Sequence, residues 1–444
     1  MPSTFLYVQA LLTGTRGTFS IYHVLFGYFW LVWLIKAFLS FCIYKPAVAT
    51  DDELASTRVS VVVPTYKEDI DTLSMSVRDT LHPSNTTVTE VIIVTDTREK
   101  DFKMICMEKW ADEPRVCVIE SPVGKRKAVR LGIDTAREDI VMIIESDTFA
   151  EKSAVDELIK PLIRDEKVGG VVGLQLIYQP FNNSISFFNN LIEIIKYMFT
   201  VPALSVFGQT TVLGGRCVAF KKQAVAATMD SLEFEKFLGK PCVSGDDGRV
   251  TSLLLCMGWK CVYQKTALFL TVSPPNLSIF MKQRLRWARN SCRRTLRAIF
   301  AIKEPHLAEP YDRFWMYKKP AAMFQIFSVW TNTTVMSVVV VLTVASVLRR
   351  EWLWLGTDKW EILLRVILFL VVGMALRRTF RVFPACGMMP FKYAPWLFFL
   401  PWYLLLMWVM RLYAICSMNK QGWVTRVGTG AGGFGRTPEA DSTR

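Results

Sequence analysis

Apolar residues fall into long and short runs along the chain. The long runs are Tyr22–Tyr44, Ala321–Leu348, Trp360–Leu376 and about Tyr393–Met418. Each approaches or exceeds the roughly 20 residues that cross a hydrocarbon core, so they predict transmembrane helices. The first is predicted to be an uncleaved anchor, since it has no clear cleavage site. We expect its one charge, Lys36, to snorkel to the interface.

Between Asp51 and about Thr271, short apolar runs alternate with helical stretches such as Asp69–Leu81. Four of these runs predict strands: Val59–Pro64, Val88–Thr95, Val116–Ile119 and Asp139–Glu145. This alternation predicts an α/β domain whose parallel sheet is covered on both faces. Ligands of such sheets bind at the carboxyl ends of the strands.

Two further segments mix apolar and polar residues. Ile185–Phe207 is apolar but contains Asn189, Asn190, Glu193 and Lys196. Phe280–Lys303 is strongly basic and amphipathic. We interpret both as helices that lie along a membrane surface, with an ordinary surface helix as the alternative for the second.

The predicted organisation therefore has six parts. They are a membrane anchor (1–50), a cytosolic catalytic domain (51–279), amphipathic interface helices (280–319), transmembrane channel segments (320–418), a short motif (419–427) and a disordered tail (428–444).

Composition agrees with a polar domain joined to membrane segments. Hydrophobic residues make up 51% of the chain and charged residues 21%, and the formal charge is +14. There is no recognisable nucleic-acid motif, and much of the basic charge lies beside apolar segments. We therefore predict membrane lipids and a nucleotide diphosphate as partners, and no nucleic acid.

Cysteine and histidine usage argues against a zinc site. The ten cysteines form no CxxC pair, and the three histidines lie far apart. We expect reduced, buried cysteines in the cytosolic block at Cys106, Cys117, Cys242, Cys256 and Cys261.

Polar residues at the ends of the first three predicted strands are candidates for binding a nucleotide. Tyr66 is suited to pack against a base and Glu68 to accept its hydrogen bonds. Asp96 ends the second strand, where a carboxylate can bind ribose or base. Lys125 and Arg126, within Gly124-Lys125-Arg126-Lys127, offer cations for phosphate, with a solvated basic turn as an equal alternative.

Later motifs supply a metal site, a base and an acceptor site. Glu145 and Asp147 end the fourth strand and suit Mg²⁺ or Mn²⁺. The adjacent carboxylates Asp246 and Asp247 repel one another, which raises a pKa and suits a general base. The remaining candidates, for the acceptor and diphosphate, are Gly215 and Arg216, and Gln283, Arg286 and Trp287 of the Gln-x-x-Arg-Trp motif.

The ordered series PTYKE, TDT, GKRK, ESD, SGDDGR and QRLRW resembles the processive family-2 inverting glycosyltransferases. Hyaluronan synthases, nodulation-type chitin oligosaccharide synthases, and chitin and cellulose synthases belong to that group. The resemblance covers roughly Val59 to Trp287. It implies a GT-A-type, Rossmann-like fold, a UDP-sugar donor, a growing polysaccharide acceptor and an integral membrane protein, with its catalytic domain on the cytosolic side of the plasma membrane.

The resemblance also implies a role for each matching residue. Uridine would contact Tyr66, Glu68 and Asp96, with Lys125 and Arg126 near the nucleotide. Asp147 would ligate the metal, and the Asp246-Asp247 pair would provide the base, which the resemblance assigns to Asp247. Acceptor and diphosphate would contact Gln283, Arg286 and Trp287.

One more matching segment is Trp423-Val424-Thr425-Arg426, which is similar to the gating loop of hyaluronan synthases and would close over the donor. For it to reach a cytosolic donor, Tyr393–Met418 must bend back or one other segment must not cross. The chain departs from the family at Val424, which replaces a glycine, and at Glu145, which replaces an aspartate.

Two alternatives remain open. One is a non-processive enzyme that glycosylates a lipid, and the other is a membrane scaffold that retains a degenerate transferase fold. Sequence does not determine which sugar is used, whether two donors alternate, the polymer length or the oligomeric state.

Overall fold

The computed structural model describes residues 31–328, residues 330, 333–334 and 337, and residues 400–420. Of the predicted membrane segments, Trp360–Leu376 lies wholly outside these ranges, and the others are described only in part. The part of the chain that is described holds no helix both long and apolar enough to cross a membrane.

A mixed sheet of eight strands forms the centre of the catalytic domain. Its strands are β1 (Val59–Pro64), β2 (Val88–Asp96), β3 (Val116–Ser121), β4 (Ile140–Ile144), β5 (Thr148–Ala150), β6 (Val168–Ile177), β7 (Cys217–Lys221) and β10 (Lys260–Thr271). A separate hairpin is formed by β8 (Lys236–Phe237) and β9 (Lys240–Pro241).

The strand order is β3-β2-β1-β4-β7-β6-β10-β5. Strands β1 to β4 pair in parallel, as the alternation of strand and helix predicts. The expectation of an all-parallel sheet is wrong, because β7 enters between β4 and β6 antiparallel to both. Strand β5 also pairs antiparallel, with β10. The Rossmann-like α/β class itself is confirmed.

Helices cover both faces of this sheet. They are α1 (Asp51–Ala55), α2 (Ile70–Thr80), α3 (Lys100–Lys109), α4 (Lys125–Thr135), α5 (Ala154–Arg164), α6 (Ser184–Ile195), α7 (Val201–Ser205), α8 (Lys222–Ala226), α9 (Met229–Glu233), α10 (Asp246–Cys256), α11 (Leu277–Ile299), α12 (Trp315–Lys318) and α13 (Leu400–Cys416). Two π-helical turns, Leu39–Ile43 and Lys196–Thr200, complete the named elements.

Strand β1 shows why the sheet is buried on both sides. Val61 and Val63 pack with α2 and α5 on one face, whereas Val62 packs with α4 and α10 on the other. All three valines are fully buried. Alternate side chains of a strand point to opposite faces, so an unbroken run of valines requires apolar cover on both.

The polar residues of Ile185–Phe207 lie inside the protein. Asn189 donates to Ser273 Oγ at 3.2 Å, and Asn190 accepts from the Ile177 amide at 3.0 Å. Both are buried, as is Glu193. The polar residues that interrupt this apolar segment are therefore explained by contacts inside the protein, and its position along a membrane surface stays a prediction.

Lys36 is buried within the described structure, and its Nζ donates to Gln325 Oε1 at 2.7 Å. Its snorkelling to a membrane interface stays a prediction. The cysteine prediction is confirmed for Cys106, Cys242 and Cys256, and likewise for Cys261, all of which are free and buried. It is wrong for Cys117, which is exposed on β3 at the edge of the sheet.

Gly132 lets α4 pack closely against β1. A Cβ atom at this position would lie 2.2 Å from Val62 Cγ1, well inside van der Waals contact. Helix α4 begins at Lys125, so its distance from the sheet sets the position of that lysine.

We expect Gly132→Ala to lower the free energy of unfolding by about 2 kcal/mol, because the added methyl group overpacks the contact with Val62. Denaturant unfolding followed by circular dichroism measures the change. Lys127→Ala, on the exposed side of the same helix, serves as the control. Equal stability of the two variants would contradict the close packing.

Candidate active site

The carboxyl ends of β1, β2 and β4 meet at a cavity of about 490 Å³. Tyr66 follows β1, Asp96 ends β2, and Glu145 and Asp147 follow β4, and all four residues line this first cavity. Lys125, at the start of α4, lines it too. The parallel pairing of these strands is what brings together residues that are far apart in sequence.

At one end of the first cavity, Arg98 lies between Tyr66 and Asp96. Its guanidinium carbon is 4.2 Å from the centroid of the Tyr66 ring. Its Nε and Nη2 donate to the two carboxylate oxygens of Asp96, each at 2.7 Å. These hydrogen bonds lower the pKa of Asp96. Sequence reasoning missed Arg98, and the only available signal was a cation two residues after a carboxylate.

Glu68 forms a hydrogen bond within the protein, and its contact with a nucleoside stays a prediction. It accepts a hydrogen bond from Ser146 Oγ at 2.6 Å, which ties the loop after β1 to the loop after β4. The preceding residue, Lys67, has φ 52°, and its amide donates to both carboxylate oxygens of Glu99. Glu68 therefore braces the loop that carries Ser146, between the two candidate metal ligands.

A second cavity of about 330 Å³ adjoins the first. It is lined by Gly215, Arg216, Asp246 and Asp247, and by Trp287 of α11. The charged and polar residues that line both cavities are Lys125, Glu145, Asp147, Gln283 and Arg286. We call this shared set the junction. The two cavities therefore meet at the junction.

Lys125 joins two carboxylates at the junction. Its Nζ lies 2.6 Å from Glu145 Oε1 and 3.4 Å from Asp246 Oδ2. Burial alone would lower the pKa of Lys125, but the charges of Asp246 and Glu145 raise it above its usual value. The lysine is therefore a fixed positive charge at physiological pH.

Arg126 does not lie where the nucleotide prediction puts it. Its buried guanidinium donates to the Leu232 carbonyl at 2.5 Å, to Glu235 Oε2 at 2.8 Å and to the Ser244 carbonyl at 3.1 Å. Adjacent residues at a helix start point in different directions, so Lys125 faces the junction and Arg126 faces the loop before Asp246.

Asp246 and Asp247 begin α10, behind Gly245 with φ 88°. Burial by itself would raise the pKa of both. For Asp246 the charges of Lys125 and Arg126 reverse the effect and lower the pKa. The pKa of Asp247 is raised, by burial and then by the charge of Asp246. The pKa values of the two neighbouring carboxylates are thus shifted in opposite directions.

Gly215 lies against Asp247. A Cβ atom at Gly215 would lie 3.3 Å from Asp247 Cβ, which is closer than most side-chain contacts. The absence of a side chain thus leaves room beside this carboxylate, as the candidate acceptor role requires.

Trp287 is held by two arginines in the second cavity. The guanidinium carbons of Arg216 and Arg284 lie 5.5 Å and 4.8 Å from its ring centroid. Both arginines form ion pairs with buried Glu193, at 3.2 Å and 3.9 Å. Arg284 also donates to Asn189 Oδ1. Arg284 belongs to the QRLRW motif of the sequence, whereas sequence reasoning missed Glu193 as a site residue, although the polar interruption of an apolar run was its signal.

Glu145 and Asp147 fit a divalent cation. Their carboxylates follow one strand and face the cavity, and carboxylate oxygens are the ligands that Mg²⁺ and Mn²⁺ prefer. Within the described ranges, no group of three or more His, Cys, Asp or Glu residues is arranged to hold a metal. Two carboxylates suffice where substrate phosphates complete the coordination, which is the usual arrangement for Mg²⁺.

A buried carboxylate, Glu235, links three of the sequence motifs. It contacts Arg126 at 2.8 Å, Arg249 at 3.3 Å and Arg297 at 3.1 Å. Arg126 follows Lys125, Arg249 follows Asp246 and Asp247, and Arg297 lies on the same helix as Trp287. Glu304 adds a second carboxylate to Arg249 and Arg297. We call these five residues the Glu235 cluster.

The predicted gating residues Trp423, Thr425 and Arg426 lie outside the described residues. All the other predicted site residues except Glu68 and Arg126 line one or both cavities.

The fold, the paired carboxylates and the two joined cavities are together those of a glycosyltransferase. The chain belongs to the family described as glycosyltransferase like family 2, whose model matches residues 57–290, more than half of its length. The predicted enzyme class is thereby confirmed.

Relatives carry the name N-acetylglucosaminyltransferase. The one from Azorhizobium caulinodans is 27% identical over 376 residues, which cover 83% of this chain and 87% of the relative. The one from Rhizobium meliloti is 32% identical over 279 residues, which cover 59% of this chain and 63% of the relative.

Among solved structures, this chain is similar in fold to a mannosyltransferase of Pyrobaculum calidifontis, in complex with GDP-Man and Mn²⁺. The TM-score is 0.58 at 18% identity, over 93% of this chain and 98% of the other.

We expect Glu235→Gln to lower the free energy of unfolding by about 3 kcal/mol, because buried guanidinium groups lose a charged partner. Glu233→Gln, two residues away in a partly exposed pair with Arg130, should cost less than about 1 kcal/mol. Denaturant unfolding compares the two variants. Equal losses of unfolding free energy in the two variants would show that the Glu235 cluster stabilises the fold no more than a partly exposed ion pair does.

Proposed function

We propose that the chain is a membrane-integrated, processive β-glycosyltransferase that adds sugars from a UDP-sugar to a growing polysaccharide, with inversion at the anomeric carbon. The observation that carries the proposal is the junction, because transfer needs donor and acceptor on either side of one set of charged groups. The name of the relatives supports N-acetylglucosamine as the transferred sugar.

The first cavity is the proposed donor site. The Tyr66 ring and the Asp96 carboxylate, which both line this cavity, offer surfaces for uracil. Lys125 and Arg286 lie at the junction, where their positive charge stabilises the departing diphosphate. Mn²⁺ or Mg²⁺, held by Glu145 and Asp147, would neutralise further charge on the leaving group.

The second cavity is the proposed acceptor site. Trp287 provides an apolar face for a sugar ring, and its arginine neighbours fix the orientation of the indole. Asp247 takes the proton from the acceptor hydroxyl, which then attacks the anomeric carbon as UDP leaves. The raised pKa of Asp247 suits a general base, because proton affinity grows with pKa.

Membrane integration and translocation of the product are supported by the long apolar segments of the sequence and by the position of α11. The start of α11 packs against α13. There the centroid of the Tyr403 ring lies 6.1 Å from that of Phe280 and 5.8 Å from that of Phe188. Helix α13 belongs to the predicted channel segments, so the acceptor site adjoins the proposed exit path. In this proposal the catalytic domain is cytosolic, at the plasma membrane, and Trp423 and Arg426 close over the donor.

We expect purified full-length protein to release UDP from UDP-N-acetylglucosamine when Mg²⁺ or Mn²⁺ is present, and to stop when EDTA removes the metal. Because the sequence does not determine the donor sugar, UDP-N-acetylglucosamine, UDP-glucose and UDP-glucuronate are tested singly and in pairs. High-molecular-weight product on a gel supports processive synthesis, whereas a short lipid-linked product supports the lipid-acceptor alternative. Absence of UDP release from every donor and pair would refute the proposal.

We expect Asp247→Asn to reduce turnover by more than about a hundredfold, the usual contribution of a general base. Wild-type turnover should fall as the pH drops through the raised pKa of Asp247, because the base must be unprotonated. Initial rates of UDP release against pH measure both effects. Asp230→Asn, a largely exposed carboxylate paired with Arg130, is the control. Normal turnover by Asp247→Asn would exclude its role as the base.

A further inference from the structure

The nucleoside end of the first cavity is filled by a side chain of the protein itself. The Arg98 guanidinium carbon lies 4.2 Å from the centroid of the Tyr66 ring, which is van der Waals contact. Asp96 accepts hydrogen bonds from Arg98 Nε and Nη2 at 2.7 Å each and from the Arg98 amide at 3.0 Å. No second planar group fits between the guanidinium and the Tyr66 ring at that distance.

The contacts of Arg98 match those that a nucleobase makes. A guanidinium is planar, stacks on aromatic rings and presents parallel N–H donors to a carboxylate. A base with an N–H group on its edge uses the same two surfaces, the face of Tyr66 and the oxygens of Asp96. Arg98 and such a base therefore compete for one place.

The exposed fractions of the two side chains indicate which member of the Arg98–Asp96 pair moves. The Arg98 side chain is 48% exposed, whereas the Asp96 side chain is 8% exposed at the end of β2. Arg98 thus lies on the solvent side of the pair and can swing out without opening the core. Asp96 stays behind, and its charge then needs a new N–H donor.

We propose that Arg98 occupies the base subsite of the donor-free enzyme and must be displaced by the donor base, so that Arg98 lowers donor affinity. The inference rests on the proposed function, which puts a uracil base against Tyr66. The ring N–H of uracil replaces the arginine at Asp96. The corresponding ring nitrogen of cytosine is an acceptor, which the carboxylate repels.

Removing the arginine should tighten nucleotide binding. For Arg98→Ala we expect the dissociation constant of UDP to fall about tenfold, equivalent to about 1.4 kcal/mol, because no side chain must be displaced. Arg98→Lys keeps the charge but lacks the planar fork, so its constant should lie between those of wild type and Arg98→Ala. Isothermal titration calorimetry of the purified full-length chain with UDP measures all three.

The matched control is Arg78→Ala. Arg78 is an exposed arginine that pairs with the adjacent Asp79 at 2.9 Å, so its removal changes the net charge equally without changing Tyr66 or Asp96. We expect its dissociation constant for UDP to equal that of the wild type. The proposal is overturned if Arg98→Ala binds UDP with equal or lower affinity than Arg78→Ala, since Arg98 would then be neutral or a direct ligand of the nucleotide.

A panel of UDP, GDP and CDP separates this inference from the proposed function. Wild type that binds CDP as tightly as UDP would contradict the exchange of N–H donors at Asp96. Preference of wild type for GDP would refute UDP as the donor nucleotide. In that case Arg98 displacement is still tested, because Arg98→Ala must then tighten GDP binding.

Discussion

A buried carboxylate that must be neutralised fixes the geometry of the catalytic centre. Glu235 contacts Arg126, Arg249 and Arg297 at 2.8 to 3.3 Å, and burial would raise its pKa if these cations did not lower it. An unpartnered buried charge costs several kcal/mol, so the four groups hold one another in place. Because each arginine adjoins a different motif, the Glu235 cluster sets the spacing between Lys125, the Asp246-Asp247 pair and the helix of Trp287.

The need to pair buried charges also explains why the basic side of α11 packs against the catalytic domain. Its basic pattern predicts a helix with arginines toward lipid headgroups, yet Arg284, Arg293 and Arg297 lie largely buried against the catalytic domain. Their partners there include Glu193 and Glu235. Positive charge on this helix therefore helps to position the proposed acceptor site, and the helix is held to the domain by ion pairs as well as by apolar packing.

Local patterns predicted the first four strands and a set of residues that line the cavities, because a run such as Val59–Val63 must be buried and the residue after a parallel strand faces the ligand edge. Partners distant in sequence were not predictable. Whether Lys125 or Arg126 faces the cavity depends on the rotation of α4 against β1, which the contact at Gly132 fixes. The role of Arg98 likewise could not be predicted, because it depends on Tyr66 and Asp96 lying side by side in the fold.

The division of labour between Asp246 and Asp247 follows from where Lys125 lies. Two adjacent carboxylates in one buried turn are equivalent in sequence, and repulsion alone does not determine which one holds a proton. Lys125 is 3.4 Å from Asp246 and also contacts Glu145, so Asp246 keeps its charge and Asp247 has the higher proton affinity. One lysine thus supplies charge for the proposed leaving group and selects the proposed base. In the proposed reaction, donor and acceptor chemistry are therefore coupled through a single side chain at the junction.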